Sequence, residues 1–343
     1  MKKLLNTLYV TTQGAYLARE GETVLVRHEH ENLLRVPIHT LAGIACFGQV
    51  SCSPPLMGLC ADNNVALSFL TEHGRFLARL QGPVNGNVLL RREQFRKADD
   101  EAATASIARA TVMAKIANCR TVVLRGAREH MDQNAVQALD AAGARMARIL
   151  TLLDKATTAE TVRGFEGEAA SVYFGVFDHL ITVSKDAFFF RERSRRPPLD
   201  NVNALLSFLY TLLVHDIEGA LEAVGLDPAV GFLHRDRPGR PGLALDLMEE
   251  LRPVLADRLT LTLINRRQVQ ADGFRKSESG AVVMDDNGRK EVLIAWQKRK
   301  QEEIQHPFLG ERIELGLLPH VQALLLARYI RGDLDGYPAY FWR

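Results

Sequence analysis

Short runs rich in β-branched and aromatic residues, separated by turn residues, fill the first part of the chain. Leu4 to Val10, Ala15 to Arg19, Thr23 to Arg27 and Leu33 to Pro37 read as strands, with Gly14 and Glu20-Gly21-Glu22 as turns between them. Leu41 to Phe47 and Val65 to Leu70 are more continuously apolar, the pattern of strands buried on both faces. Between these two, Ser53 followed by Pro54 predicts a helix start, and Leu56, Met57, Leu59 and Cys60 fit a short helix.

The pattern then changes. Gly82-Pro83-Val84-Asn85-Gly86-Asn87 is a cluster of helix and strand breakers, and beyond it the apolar spacing is helical almost to the end. Ala, Leu, Arg and Glu dominate from Asp99 to Leu153, and Thr157-Thr158-Ala159-Glu160 fits a capping box that opens another helix. Asn201 to Val224 is apolar nearly all round, as a helix in the middle of a domain would be, and is stopped by Gly225 and Pro228. Ala281 to Met284 and Glu291 to Ile294 flank Asn287-Gly288, which predicts a hairpin turn. The fold class expected is α+β: a small β-rich N-terminal domain over residues 1–81, a linker over 82–87, and a larger helical catalytic domain over 88–343 that carries a short hairpin.

Composition narrows the class. The 343 residues are 47% hydrophobic and 24% charged, which suits a globular protein with a substantial core. No uninterrupted apolar run of about 18 residues predicts a membrane span, and the start of the chain lacks the pattern of a secretory signal. Cys46, Cys52, Cys60 and Cys119 form no C-x-x-C pair, so a thiolate zinc site is not expected and reduced thiols in the cytoplasm are. The net charge of +2 does not announce a polyanion partner, but the basic residues are grouped. Arg191, Arg193, Arg195 and Arg196 form one cluster, Arg91, Arg92, Arg96 and Lys97 a second, and Lys298-Arg299-Lys300 a third. Each is either a phosphate-tracking patch or a solvated face.

Three segments carry candidate chemistry, and each also admits a purely structural role. In Arg163-Gly164-Phe165-Glu166-Gly167-Glu168, helical spacing puts Glu166 on the face of Ala169, Ala170 and Tyr173 and turns Glu168 towards water. A carboxylate on a packed face requires a cation, which is a metal or an arginine. Gly231-Phe232-Leu233-His234 precedes a loop with Arg235, Arg237 and Arg240; His234 is a metal ligand beside phosphate-binding arginines, or an exposed loop histidine. Asp246 and Glu249 stand at i and i+3 of one predicted helix that Pro253 ends or kinks near Arg252; so close a pair holds a divalent cation or a proton, or is an exposed acidic face. Together the three offer carboxylate and imidazole without thiolate, a set suited to Mg²⁺ or Mn²⁺ at phosphates. His215-Asp216 with Glu218, and His28-Glu29-His30-Glu31, rank below them.

Four stretches in this order resemble one family over nearly the whole length: Gly164-Phe165-Glu166-Gly167, Pro197 to Tyr210, Gly231-Phe232-Leu233-His234, and Leu245 to Pro253. The family is the CRISPR-associated adaptation integrase, the larger catalytic subunit of the spacer-acquisition complex. Gln322 to Arg328 and Arg331-Gly332-Asp333-Leu334-Asp335 look like the subgroup found with type I-C systems. The resemblance implies metal ligands at Glu166, His234 and Glu249, with Asp246 as a close neighbour; some members carry aspartate where Glu249 stands here. It also implies a homodimer, two such dimers bridged by a small ferredoxin-like subunit, and double-stranded DNA fragments and repeat DNA as substrates. The reaction implied is transesterification, in which a fragment 3′-hydroxyl attacks a repeat phosphate, with nicking of branched or single-stranded DNA when water replaces the hydroxyl. Arg195, Arg196, Arg235, Arg237 and Arg240 are candidate phosphate contacts, with Asn203 and Tyr210 as further candidates in the Pro197 to Tyr210 segment, although packing is the safer role for Tyr210. A nuclease without an integration role and a non-catalytic DNA-binding scaffold are the rival readings.

Overall fold

The computed structural model describes residues 6–29, 31–72, 76–80, 82 and 88–342. Most of the breaker cluster, residues 83–87, lies outside them, as do His30 and the start of the first apolar run at Leu4 and Leu5. The chain divides into two compact units, residues 1–85 with 289–302, and residues 86–288 with 303–343.

In the first unit the alternating runs form two four-stranded sheets. One is ordered β1 (Asn6–Val10), β5 (Leu41–Phe47), β7 (Ala66–Leu70), β8 (Phe76–Arg79); the other is β4 (Glu31–Pro37), β3 (Thr23–His28), β2 (Tyr16–Glu20), β6 (Ser51–Cys52). The two continuously apolar runs, β5 and β7, are the inner strands of the first sheet and pair in parallel, with helix α1 (Pro54–Asp62) in the connection between them. Ser53 caps α1 by accepting from the Leu56 N–H at 3.3 Å. Leu17, Val24, Ile44, Leu56 and Leu67 close the core.

The second unit is helical, with α2 (Val88–Asp99), α3 (Glu101–Glu129), α4 (Gln133–Leu153), α5 (Ala159–Gly175), α6 (Asn201–Val224), α7 (Gly242–Arg252) and α8 (Arg258–Asn265). A hairpin of β9 (Phe274–Lys276) and β10 (Val282–Met284) follows. Helix α9 (Asp286–Lys300), the hairpin β11 (Glu303–Gln305) and β12 (Arg312–Glu314), and helix α10 (Leu318–Arg331) complete the chain. Helix α3 is the hub, packing on α4, α5 and α7. Helix α6 has the length and, with a mean hydropathy of 1.4, the composition of a membrane span. It is instead a core helix that buries Leu205, Leu206, Leu209 and Leu213.

Three local expectations are corrected. Asn287 and Gly288 do not turn a hairpin; they lie in the first turn of α9, where the Gly288 N–H donates to Asp285 Oδ1 at 2.8 Å. Val292, Leu293 and Trp296 recur at helical spacing and are buried, and that period prevails over the two-residue turn signal. The strand before it exists, but β10 pairs backwards with β9. Residues 289–302 also rejoin the first unit, where the Gln297 amide donates to the Thr7 carbonyl at 2.7 Å. Finally, the cap of α5 is Thr158, which accepts from the Thr161 N–H at 3.2 Å, and Glu160 serves arginines instead of closing a capping box.

Candidate active site

Helix α3 buries a lysine. Lys115 is 1% exposed, on the face that also carries Thr111, Asn118 and Val122, and lysine enters a core only when its charge is met. Two carboxylates meet it. The ammonium contacts Glu166 Oε1, from α5, and lies 2.7 Å from Glu249 Oε2, from α7. Arg252 Nη1, one turn on in α7, holds Glu249 Oε1 at 3.2 Å. Glu166 and Glu249 are therefore brought together, and the cation between them is the side chain of a residue that sequence reasoning passed over. The signal for it was present: a lysine inside the apolar stretch Val112 to Cys119.

Electrostatics bind the group tightly. Burial alone would push the Glu249 carboxyl upward, but Arg252 and Lys115, with His234 adding to them, outweigh it and hold it at about 2. Its Oε2 is buried and makes no well-angled hydrogen bond, although the ammonium is close. Glu166 is the most accessible member of the cluster, its side chain 27% exposed.

His234 joins through its loop. Asp246, one turn before Glu249 on α7, accepts the Phe232 N–H at 2.6 Å and the Leu233 N–H at 2.9 Å on Oδ2. Its Oδ1 takes the His234 N–H at 2.9 Å and stands 2.7 Å from the ring Nδ1. A carboxylate oxygen only accepts, so Nδ1 carries the proton of that contact, and Nε2 is the nitrogen that a neutral ring offers as a ligand. The loop can lie so close because Gly231 and Gly242 face each other: a Cβ on Gly231 would stand 2.8 Å from the Gly242 carbonyl carbon. From α5, Arg163 Nη1 donates to the Leu233 carbonyl at 3.0 Å, and Glu160 ties Arg163 to Arg235.

The exposed acidic face that Asp246 and Glu249 could have formed is not what they make, since both are buried, 2% and 5% exposed. Asp246 is neutralised by three backbone amides and an imidazole, and Glu249 by Lys115 and Arg252. Helical spacing sets the two carboxylates near each other, and different neighbours compensate each.

The arginines and the two further DNA candidates separate by burial. Arg195, Arg196, Arg235 and Arg237 are exposed and Arg240 half-exposed. Asn203 is 0% exposed, and its amide is spent on Arg193, Ser194, Glu192 and Asp200, so a direct contact to DNA does not fit it. Tyr210 likewise turns inward, donating its hydroxyl to Asp257 Oδ1 at 2.6 Å while Arg193 and Arg252 lie 5.2 and 5.5 Å from its ring centre. Of the third basic group, Lys300 is buried against Thr7 and Arg299 pairs with Glu302, so this group is not a solvated patch. His215 lies 3.7 Å from Glu218 within α6.

The donor chemistry fits a hard divalent ion: two carboxylates, one with a buried oxygen lacking a hydrogen bond, and an imidazole whose other nitrogen is anchored to a carboxylate. As the side chains stand, the carboxylates are closed on Lys115, and among the described residues no three His, Cys, Asp or Glu groups have the spacing of a complete ligand set.

Fold and site together define a two-unit α+β protein with a charge cluster in its helical unit that is buried except on the Glu166 side. The chain belongs to the Cas1 family of CRISPR-associated proteins, whose profile, described as CRISPR associated protein Cas1, matches residues 8–298. It is 57% identical over 343 residues, the full length of both chains, to CRISPR-associated endonuclease Cas1 1 of Chlorobaculum tepidum. It is 54% identical over 347 aligned positions, again the full length of both, to CRISPR-associated endonuclease Cas1 2 of Rhodospirillum rubrum. The fold matches that of a Cas1 protein from Thermotoga maritima with a TM-score of 0.81 at 22% identity, covering 96% of this chain and 99% of that one. A casposase bound to integration product matches with a TM-score of 0.82 at 20% identity, covering 98% and 94%.

Proposed function

We propose that this chain is the metal-dependent integrase and endonuclease of CRISPR adaptation, joining fragment 3′-hydroxyls to repeat DNA. The observation that supports it most is the convergence of Glu166 and Glu249 on one cation, together with the anchoring of the His234 ring by Asp246, one turn before Glu249 on the same helix. Its full-length relatives are named endonucleases, and a protein of the same fold is a casposase bound to integration product.

In this reading Glu166, Glu249 and the His234 Nε2 hold Mg²⁺ or Mn²⁺. The bound ion supplies polarisation of a phosphoryl oxygen and a lowered pKa for the attacking hydroxyl. The chain's own residues do the positioning. Asp246 fixes the tautomer and direction of the imidazole. Arg252 fixes one oxygen of Glu249, so that only the other is offered to the pocket. Arg195, Arg196, Arg235, Arg237 and Arg240 bind phosphates of the two DNA partners. The 3′-hydroxyl forms the new P–O bond while the repeat strand leaves as its own 3′-hydroxyl; with water as nucleophile the same displacement is a nick.

A strand-transfer assay on repeat-bearing DNA tests this. Glu166→Gln, His234→Ala and Glu249→Gln are each expected to lower the metal-dependent rate by more than about 100-fold, with the folded helical signal kept. Full activity in any one removes that residue from the site, and nicking without strand transfer by the wild type would favour a plain nuclease. We further propose a cytoplasmic homodimer of the type I-C subgroup, two of which a small ferredoxin-like subunit bridges; light scattering of the chain alone and with that subunit tests the assembly.

A further inference from the structure

Most charges around the pocket are met by groups that the fold fixes in place. Asp246 has the amides of its loop, Glu249 Oε1 has Arg252, and Asp257 accepts from the hydroxyls of Tyr173 and Tyr210. Lys115 differs. Among the described residues its ammonium has no hydrogen bond or ion pair except those with Glu166 and Glu249, the two carboxylates that the proposed reaction assigns to a divalent ion.

Two cations cannot share those oxygens at such range, because their mutual repulsion in a poorly solvated site is severe. Yet two carboxylates so placed, with no cation between them, would force each other apart or take up a proton. We infer that Lys115 is a built-in counter-cation: it keeps Glu166 and Glu249 converged while the metal is absent, and its ammonium gives way when the ion binds. Four methylenes, and no other hydrogen bond or ion pair among the described residues to hold the ammonium, make that withdrawal feasible. The device holds a preformed site at the cost of metal affinity, so the ion is held loosely until DNA phosphates add negative charge. This inference rests on the metal site proposed above.

Mn²⁺ titration followed by electron paramagnetic resonance, paired with thermal melting with and without Mn²⁺, tests it. Lys115→Met removes the charge and keeps much of the bulk. It is expected to melt at a lower temperature than the wild type without metal, to bind Mn²⁺ at least about tenfold more tightly, and to gain more from Mn²⁺ on melting than the wild type does. Should Lys115→Met fail to fold, Lys115→Gln, which keeps a donor between the carboxylates, takes its place in the same titration. A folded Lys115 variant that binds Mn²⁺ no more tightly than the wild type overturns the inference. In that case wild-type binding that is still lost in Glu166→Gln and His234→Ala leaves the metal site standing. Wild-type binding insensitive to those two substitutions removes the metal site itself.

Discussion

Asp246 occupies the position in this pocket where a carboxylate is most constrained. Both oxygens are engaged, one by two loop amides and the other by the amide and ring of His234, and the side chain is 3% exposed. Asp246→Asn keeps the shape but sets an amide NH₂ against donors, so the His234 ring loses its anchor. We expect Mn²⁺ affinity to fall by roughly 10–100-fold, the usual consequence of losing a carboxylate behind a ligating histidine; unchanged affinity in the same titration would show that the ring needs no such support. The neighbouring Glu250 is set quite differently. Burial pushes its carboxyl up to about 7, against the lowering pull of the donors from Tyr337, Tyr340 and Gln322. At this scale the sequence revealed residue types better than partnerships. Glu166, His234 and Glu249 stand out in short motifs, and the structure brings Glu166 and Glu249 together. Lys115 lies 51 residues before Glu166 and on another helix, so no local pattern links them. Asn203 misled for the opposite reason: a polar residue in a matching segment looks functional, whereas here its amide fastens the Arg193 loop to the start of α6.

At the scale of elements, α5 carries two glycines around Glu166, and they leave open surface. A Cβ at Gly164 or Gly167 would meet nothing within 4 Å. Glycine inside an exposed helix forfeits backbone entropy, so Gly167→Ala is expected to raise stability by about 0.5–1 kcal/mol. Denaturant unfolding measures it, and a loss of stability would mean that the helix bends or opens there in solution. Strands β2, β3, β4, β5, β7 and β10 were legible to within a residue or two, because alternation and turn residues are local, whereas the short β6, β8, β9, β11 and β12 left no such pattern. Helix α9 was not, since the Asn287-Gly288 turn signal outweighed a helical period that only its burial reveals. Pro253 gave half of the answer. It ends the regular hydrogen bonding of α7 at Arg252, as its missing N–H requires, but a π-helical stretch, Pro253–Asp257, absorbs the ring and carries the chain directly into α8. That wider turn contains Asp257, the acceptor of both buried tyrosines.

For the whole molecule, a net charge of +2 conceals an uneven surface. Arg195, Arg196 and Arg237 are exposed, and no ion pair or hydrogen bond within the described residues occupies their side chains. Replacing all three by alanine is expected to flatten the plot of log affinity for duplex DNA against log salt by up to about 2–3 units, near 0.9 for each phosphate that is no longer neutralised. Fluorescence anisotropy across a salt series reads that slope, and an unaltered slope assigns DNA binding to other residues.

The segment that closes the helical unit is stapled to its hub. Asn118 on α3 donates to the carbonyls of Glu250 and Tyr340, at 2.8 Å each, and accepts the Trp342 N–H at 2.7 Å. One amide side chain thus ties the helix of Lys115, the helix of Glu249 and residues 340–342 to one another, so a disturbance in any of the three is passed to the carboxylate that faces the lysine.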